Sequence, residues 1–166
     1  MLFEIREIAA DEYLPAVCEV IRLAFATVAE EFHLTPQNCQ KHPAFLSDSD
    51  LAESLQKPGV IFFCVFANDS NDALVGFVAI WPKGHGVYEL TRLCVLPAHR
   101  HAGLGARLLQ AAVQSAKKHG ARRISIGIIA ENEQLKRWYE NHGFTVTAVR
   151  EYSHLPFTVC EMEREL

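Results

Sequence analysis

Tyr88-Glu89-Leu90-Thr91-Arg92-Leu93-Cys94-Val95-Leu96-Pro97 runs into Ala98-His99-Arg100-His101-Ala102-Gly103-Leu104-Gly105-Ala106, and the fold turns on how this junction is read. The first stretch is a strand from Val87 to Leu96, closed by a proline that cannot continue a ladder. After the glycines, Leu104, Leu108, Ala112 and Ala116 recur at helical spacing. Lys117, Lys118 and His119 suit the negative end of that helix, and Gly120 can take the left-handed conformation that ends it. Arg123 to Ile129 then alternates as a strand. Two strands bridged by one helix form a right-handed crossover and are parallel.

Working backwards, Val60 to Phe66 reads as a buried strand, Asn68 to Asp72 as a turn and Leu74 to Trp81 as the next strand. Gly84-His85-Gly86 turns the chain into the Val87 strand, so three antiparallel strands run in series. Residues 2 to 8 suggest a first strand. Leu14, Val17, Cys18, Ile21 and Phe25 mark an amphipathic helix, with Asp11 near its N-cap and Pro15 tolerated in its first turn. From Glu30 to Pro58 the spacing is irregular, with one short helix expected after Ser47 or Ser49. Forwards, Asn132 caps a helix carrying Leu135, Trp138 and Tyr139, which Gly143 ends. Phe144 to Val149 and Phe157 to Met162 close as a hairpin. The order is β-α-α-β-β-β-α-β-α-β-β, with no linker, so residues 1–166 read as a single domain.

Composition limits the function. A formal net charge of -4 argues against a bulk nucleic-acid binder, which needs surplus Lys and Arg to displace counterions. The N-terminal residues lack the basic and apolar regions of a signal peptide, and the longest apolar stretch, Val60 to Ala67, is too short to span a bilayer. A soluble cytoplasmic protein with no membrane partner is expected. Of the five cysteines, Cys18, Cys64, Cys94 and Cys160 lie in apolar periodic segments and read as buried free thiols. Cys39 lies in a loop with His42 three residues on, but no second pair with zinc spacing follows, so no metal is expected. His33, His42, His85 and His154 fall in loops, where any of them is a candidate to bind an acceptor, although each reads first as a surface residue.

A strand entering a Gly-containing turn and a helix N-terminus presents unpaired backbone N–H groups at the positive end of a helix dipole, a geometry suited to phosphate. Gly103 and Gly105 let a ligand approach the main chain, and Arg100 and Arg107 are expected to add charge beside it. A Walker A loop requires Gly-Lys-Ser/Thr, whereas Ala106-Arg107 follows Gly105. A dinucleotide fingerprint requires a further small residue where Leu108 stands.

Arg100-His101-Ala102-Gly103-Leu104-Gly105, directly after its strand, resembles the pyrophosphate loop Arg/Gln-x-x-Gly-x-Gly/Ala of the GCN5-related N-acetyltransferases. Asn132 to Phe144 is similar to that family's second hallmark: Asn at a helix start, Tyr seven residues later and Gly-Phe opening the next strand. The resemblance implies an α/β (α+β) fold of the acyl-CoA N-acyltransferase type, a mixed, mostly antiparallel six- to seven-stranded sheet with helices on both faces. It implies acetyl-CoA as acyl donor, bound through Arg100, His101, Ala102, Gly103, Leu104, Gly105, Ala106 and Asn132. It also implies a bulge that leaves N–H groups near Leu93, Cys94 and Val95 free for the thioester oxygen.

From the residues alone Tyr139 reads as a core aromatic one turn from Leu135; the resemblance implies the acid that protonates the leaving thiolate. Glu89 is the candidate base, with an ordered water as its rival and a salt-bridged strand residue as the plain reading. Cys94 raises a ping-pong route but reads as packing. The expected reaction is direct, sequential acetylation of a primary amine. A small molecule is favoured over a protein N-terminus or lysine because no acidic trough for a basic peptide is evident. The amine is expected to enter from the side covered by residues 30 to 58, and the resemblance implies that residues 25 to 58 and 150 to 157 set its identity. The rival class is a CoA-binding module without catalysis, which Tyr139 and Glu89 disfavour. A homodimer is left open.

Overall fold

The computed structural model describes residues 2–9, 12–69 and 71–166. Along the chain lie β1 (Phe3–Glu7), α1 (Leu14–Glu31), α2 (Asp48–Leu55), β2 (Ile61–Ala67), β3 (Ala73–Gly84), β4 (Val87–Val95), α3 (Leu104–Lys118), β5 (Arg123–Ile129), α4 (Glu133–Asn141), β6 (Thr145–Glu151) and β7 (Thr158–Glu165). Short 3₁₀ turns occupy Pro43–Phe45 and Pro97–His99. The order is the one the sequence predicts. The strands form one seven-stranded sheet in the order β1-β2-β3-β4-β5-β7-β6. Only β4 and β5 are parallel; the other pairs are antiparallel.

Helices cover both faces. On one, Leu104, Leu108, Ala112 and Ala116 of α3 are at most 2% exposed, as their spacing predicts, and the helix packs on β2, β3 and β4. Each buried leucine contributes about 1.5–3 kcal/mol. On the other, Val17, Cys18 and Ile21 of α1 and Leu51 and Leu55 of α2 meet Phe62, Cys64, Phe66 and Phe77. Because β2 is buried on both faces it reads as an unbroken apolar run rather than an alternating one.

The starts of two helices take definite form. Asp11 lies outside the described residues, and the residue before α1 is Tyr13, left-handed at φ 58° and without a side-chain cap. Ser47, not Ser49, caps α2: its Oγ accepts from Asp50 N at 3.1 Å, and Asp50 Oδ2 accepts from Ser47 N at 3.5 Å. Such a cap is worth about 1 kcal/mol. No helix among the described residues is long and apolar enough to cross a membrane.

Candidate active site

The parallel ladder between β4 and β5 is short. It pairs Val87 with Arg123, Tyr88 with Ile124 and Glu89 with Ser125, and then the strands part. From Leu90 to Val95 on one wall and from Ile126 to Ile129 on the other, no ladder partner stands across the gap. A bulge accompanies the parting. Cys94 pairs with Phe77 and Thr91 with Ala79, so β4 carries one residue more than β3 over this interval. Arg92 takes up the extra length with a left-handed φ of 55°. Gly76 on β3 permits the close approach, since a Cβ there would stand 3.0 Å from the Cys94 carbonyl oxygen.

The bulge also reverses side-chain parity. Tyr88 and Leu90 pack on the α3 side, and beyond the bulge it is Leu93 and Val95 that do so, which turns Cys94 toward α1. Glu89, between Tyr88 and Leu90, therefore faces the α1 side. There it lines a cleft of about 660 Å³ that reaches from Phe25, Thr27 and Val28 of α1, through the gap, to Asn132, Leu135 and Tyr139 of α4.

At one end of the gap, the chain turns through Pro97–His99 and enters α3 with His101 at φ 65° and Gly103 at φ 77°. Arg100 N donates to the Pro97 carbonyl at 3.3 Å and Arg107 N to the Gly103 carbonyl at 3.1 Å, whereas the N–H groups of His101 to Ala106 find no acceptor among the described residues. Six consecutive free donors thus cluster at the positive end of α3. A Cβ on Gly103 would meet nothing within 4 Å, so this side of the loop is open to a ligand.

The arginines do not serve this loop as expected. The Arg100 guanidinium turns inward, where Nε donates to the Val95 carbonyl at 3.0 Å, Nη1 to Thr27 Oγ1 at 3.1 Å and Nη2 to the Ala24 carbonyl at 2.7 Å. Its donors go to two main-chain carbonyls and a hydroxyl, and so it fastens the loop to α1 instead of pointing out at the free amides. Arg107 Nη2 donates to the Phe3 carbonyl at 3.1 Å.

Tyr139 is 5% exposed, its ring held edge-on by Trp138 at 4.9 Å and by Phe144 at 5.3 Å between centroids. Its hydroxyl has no hydrogen-bond partner among the described residues, and burial, with the neighbouring Cys94 as a second cause, pushes the phenol well above its ordinary pKa. The Cys94 thiol is pushed up to about 12 by burial, which keeps it a thiol at neutral pH and unsuited to nucleophilic attack. Asn132 Oδ1 accepts from Leu135 N at 3.2 Å and so caps α4 at the edge of the cleft.

Arg92, which also lines the cleft, escaped the sequence reading. Its signal was a cation on the same strand as Glu89, directly ahead of the apolar run Leu93 to Leu96. Cys39 and His42 are buried rather than exposed in a loop. Cys39 packs with Ala29, Leu34 and Ile129, and His42, which lines the cleft, stacks edge-on to Phe25 at 5.9 Å while Nδ1 accepts from Ala44 N at 3.2 Å. Burial lowers the His42 pKa. No group of three His, Cys, Asp or Glu side chains among the described residues could hold a metal ion.

The splayed strands, the free amides at a helix start and the buried phenol together form a long cleft with hydrogen-bond donors clustered at one end. The profile of the acetyltransferase (GNAT) family matches residues 25–144. An uncharacterized N-acetyltransferase of Mycobacterium tuberculosis is 26% identical over 109 residues, 66% of this chain and 68% of that protein. The uncharacterized N-acetyltransferase YjcF of Bacillus subtilis is 33% identical over 72 residues, 43% of this chain and 49% of that protein. Among solved structures, the PaiA N-acetyltransferase of Thermoplasma acidophilum in complex with coenzyme A superposes with a TM-score of 0.76 at 23% identity and covers 100% of both chains, a likeness of fold. The chain belongs to the acetyltransferase (GNAT) family and is an acetyl-CoA-dependent N-acetyltransferase.

Proposed function

We propose that the chain, as a single domain of residues 1–166, transfers the acetyl group of acetyl-CoA directly to the primary amine of a small molecule. The observation that carries this reading is the cleft through the sheet, which joins the free amides of His101 to Ala106 to a chamber beside α1. In this assignment the amides from His101 through Ala102, Gly103, Leu104, Gly105 and Ala106 hold the pyrophosphate, and Asn132 meets the pantetheine arm. Main-chain N–H groups of the bulged segment Leu93, Cys94 and Val95 receive the thioester oxygen as it gains charge. Glu89 takes the proton of the incoming ammonium, directly or through a water, and Tyr139 protonates the departing thiolate. Arg100 acts indirectly by holding the loop against α1.

Direct transfer is supported by the protonated state of Cys94, the one thiol lining the gap among the described residues. A small acceptor is supported by the charge balance around the cleft. Glu31 and Glu89 are matched there by Arg92 and Arg100, so the cleft offers no acidic trough to draw a basic peptide. Five free, buried cysteines suit a reducing compartment, and we assign the protein to the cytoplasm.

The test is acetyl-CoA-dependent thiol release against a panel of small amines and of peptides with free N-termini or lysines, with both substrates varied. Intersecting reciprocal plots with a small amine are expected. Parallel plots would overturn direct transfer, and activity confined to peptides would overturn the small acceptor.

A further inference from the structure

Beside the acceptor chamber lies a second, smaller cavity of about 100 Å³, and the two share Thr91 and Arg92. Leu55, Val60, Ala79 and Trp81 give it apolar sides; its polar groups are Ser54, Thr91, Lys57 and Arg92. Both ionised groups are cations. Lys57 Nζ sits over the Trp81 ring at 4.4 Å from its centroid. Arg92 Nη1 donates to Ser54 Oγ at 2.7 Å, and Ser54 Oγ in turn donates to the Leu51 carbonyl at 2.9 Å.

Arg92 is underused for a half-buried arginine. Its guanidinium offers five N–H donors in a planar fork, and among the described residues Ser54 is its only hydrogen-bond partner. Asp50, a carboxylate whose charge acts on it, forms no ion pair with it, although other arginines of this chain do pair with acids. Burial is costly enough to draw its pKa down. A guanidinium desolvated and left without a counter-ion is unfavourable unless something else supplies the charge. The backbone adds a second cost, because Arg92 holds a left-handed φ of 55° that a side chain disfavours. What this conformation achieves is to point a cation toward α2, at the border of the acceptor chamber, one residue before the segment assigned to the thioester oxygen.

We propose that Arg92, with Lys57 and the Ser54 hydroxyl, forms an anion subsite for the acceptor, so that the amine acetylated here carries a carboxylate. A carboxylate matches the fork of the guanidinium and suits a cavity of this size. With its acid end held there, the amino group of the same molecule lies on the side of Glu89 and the thioester. This deepens the small-molecule reading above and rests on it.

Matched acceptors test the subsite: glycine, L-alanine, L-methionine and L-phenylalanine against their carboxamides, compared at equal concentrations of free amine. A charge-assisted pair should favour the acids by roughly 10–100-fold in kcat/KM, mostly through KM. In Arg92→Gln the acid-to-amide ratio should collapse toward one, in Arg92→Lys it should be intermediate, and in Lys57→Ala, which leaves the bulge intact, it should fall part of the way. Calorimetric titration of the N-acetyl amino acids into CoA-saturated protein gives a readout without turnover, and Arg92→Gln should weaken that binding similarly. The proposal is overturned if wild type accepts the amides as well as the acids, if the preference survives in both Arg92→Gln and Lys57→Ala, or if the N-acetyl acids do not bind. Rapid acetylation of plain amines alone would retain the small-molecule reading and remove the subsite. Arg92-dependent binding of the acids without their acetylation would retain the subsite and remove that reading.

Discussion

Tyr139→Phe removes one oxygen and leaves the ring, so its effect can be worked out closely. The edge-on contacts with Trp138 and Phe144 survive, and no hydrogen bond to the described protein is lost. Stability should change by less than about 1 kcal/mol. If the hydroxyl protonates the leaving thiolate, general acid catalysis sets the loss at about 10²–10⁴-fold. A thiolate leaves readily without much help, so the low end applies, about 100-fold in kcat or about 2.7 kcal/mol. The raised phenol pKa fixes the pH dependence. A group whose proton is held more tightly than usual stays protonated above its ordinary value of 10, so phenol ionisation should not reduce the wild-type kcat between about pH 7 and pH 10. The deficit of the variant should accordingly be constant over that range. The assay is kcat for both proteins across pH with a working acceptor, beside calorimetric acetyl-CoA affinity. An unchanged kcat would refute the role; a matching loss of acetyl-CoA affinity would mean that the hydroxyl holds the thioester instead.

Gly103→Val places a branched side chain at φ 77° in the middle of the free amides, and should raise the KM for acetyl-CoA at least about 10-fold while the chain still folds, as calorimetry and circular dichroism can establish. Glu89→Gln should lower kcat/KM most near neutral pH, with the deficit shrinking as the free amine becomes the main species; a deficit independent of pH would make Glu89 a scaffold. Cys94→Ala should keep most of kcat, and labelled acetyl-CoA without acceptor should leave no label on the wild-type protein; a stable acetyl-cysteine would contradict the raised thiol pKa. The stability that neutral, buried His42 lends is present in full above the ordinary imidazole value of 6.5 and is lost as pH falls through its lower folded value, because the unfolded chain takes up the proton first. Melting temperature against pH should therefore fall less steeply in His42→Asn than in wild type on the acid side.

The order of strands and helices was legible because each element carries its own period: β2 as an unbroken apolar run, α3 as a stripe from Leu104 to Ala116, and β6 and β7 as a hairpin. The loop was legible for the same reason, since free amides follow from a strand, a glycine and a helix start in succession. The bulge was not. It is a mismatch between Thr91 to Cys94 and residues of β3 some fifteen positions earlier, and nothing local in Leu90 to Val95 marks Arg92 as left-handed. Direction was hidden too: Arg100 was placed correctly beside the glycines, but its guanidinium answers carbonyls of α1 that only the folded chain brings near. Cys39 and His42 are loop residues as read, but their burial was hidden because it comes from packing against α1 and its neighbours, not from any periodicity of their own.

The parting of β4 and β5 has a further effect on the life of the protein. Three residue pairs are the whole ladder between the half of the sheet made by β1 to β4 and the half made by β5, β7 and β6. A substrate lying in the gap bridges the halves from within, so occupancy and resistance to unfolding become linked. An acetyl-CoA concentration 100 times its dissociation constant adds about 2.7 kcal/mol to the stability of the native state. Proteases that act on transiently opened chains would meet about a hundredfold fewer of them. Supply of the acyl donor would thereby govern how long each copy of the enzyme lasts as well as how fast it works, and scarcity would thin the enzyme population without any dedicated regulator.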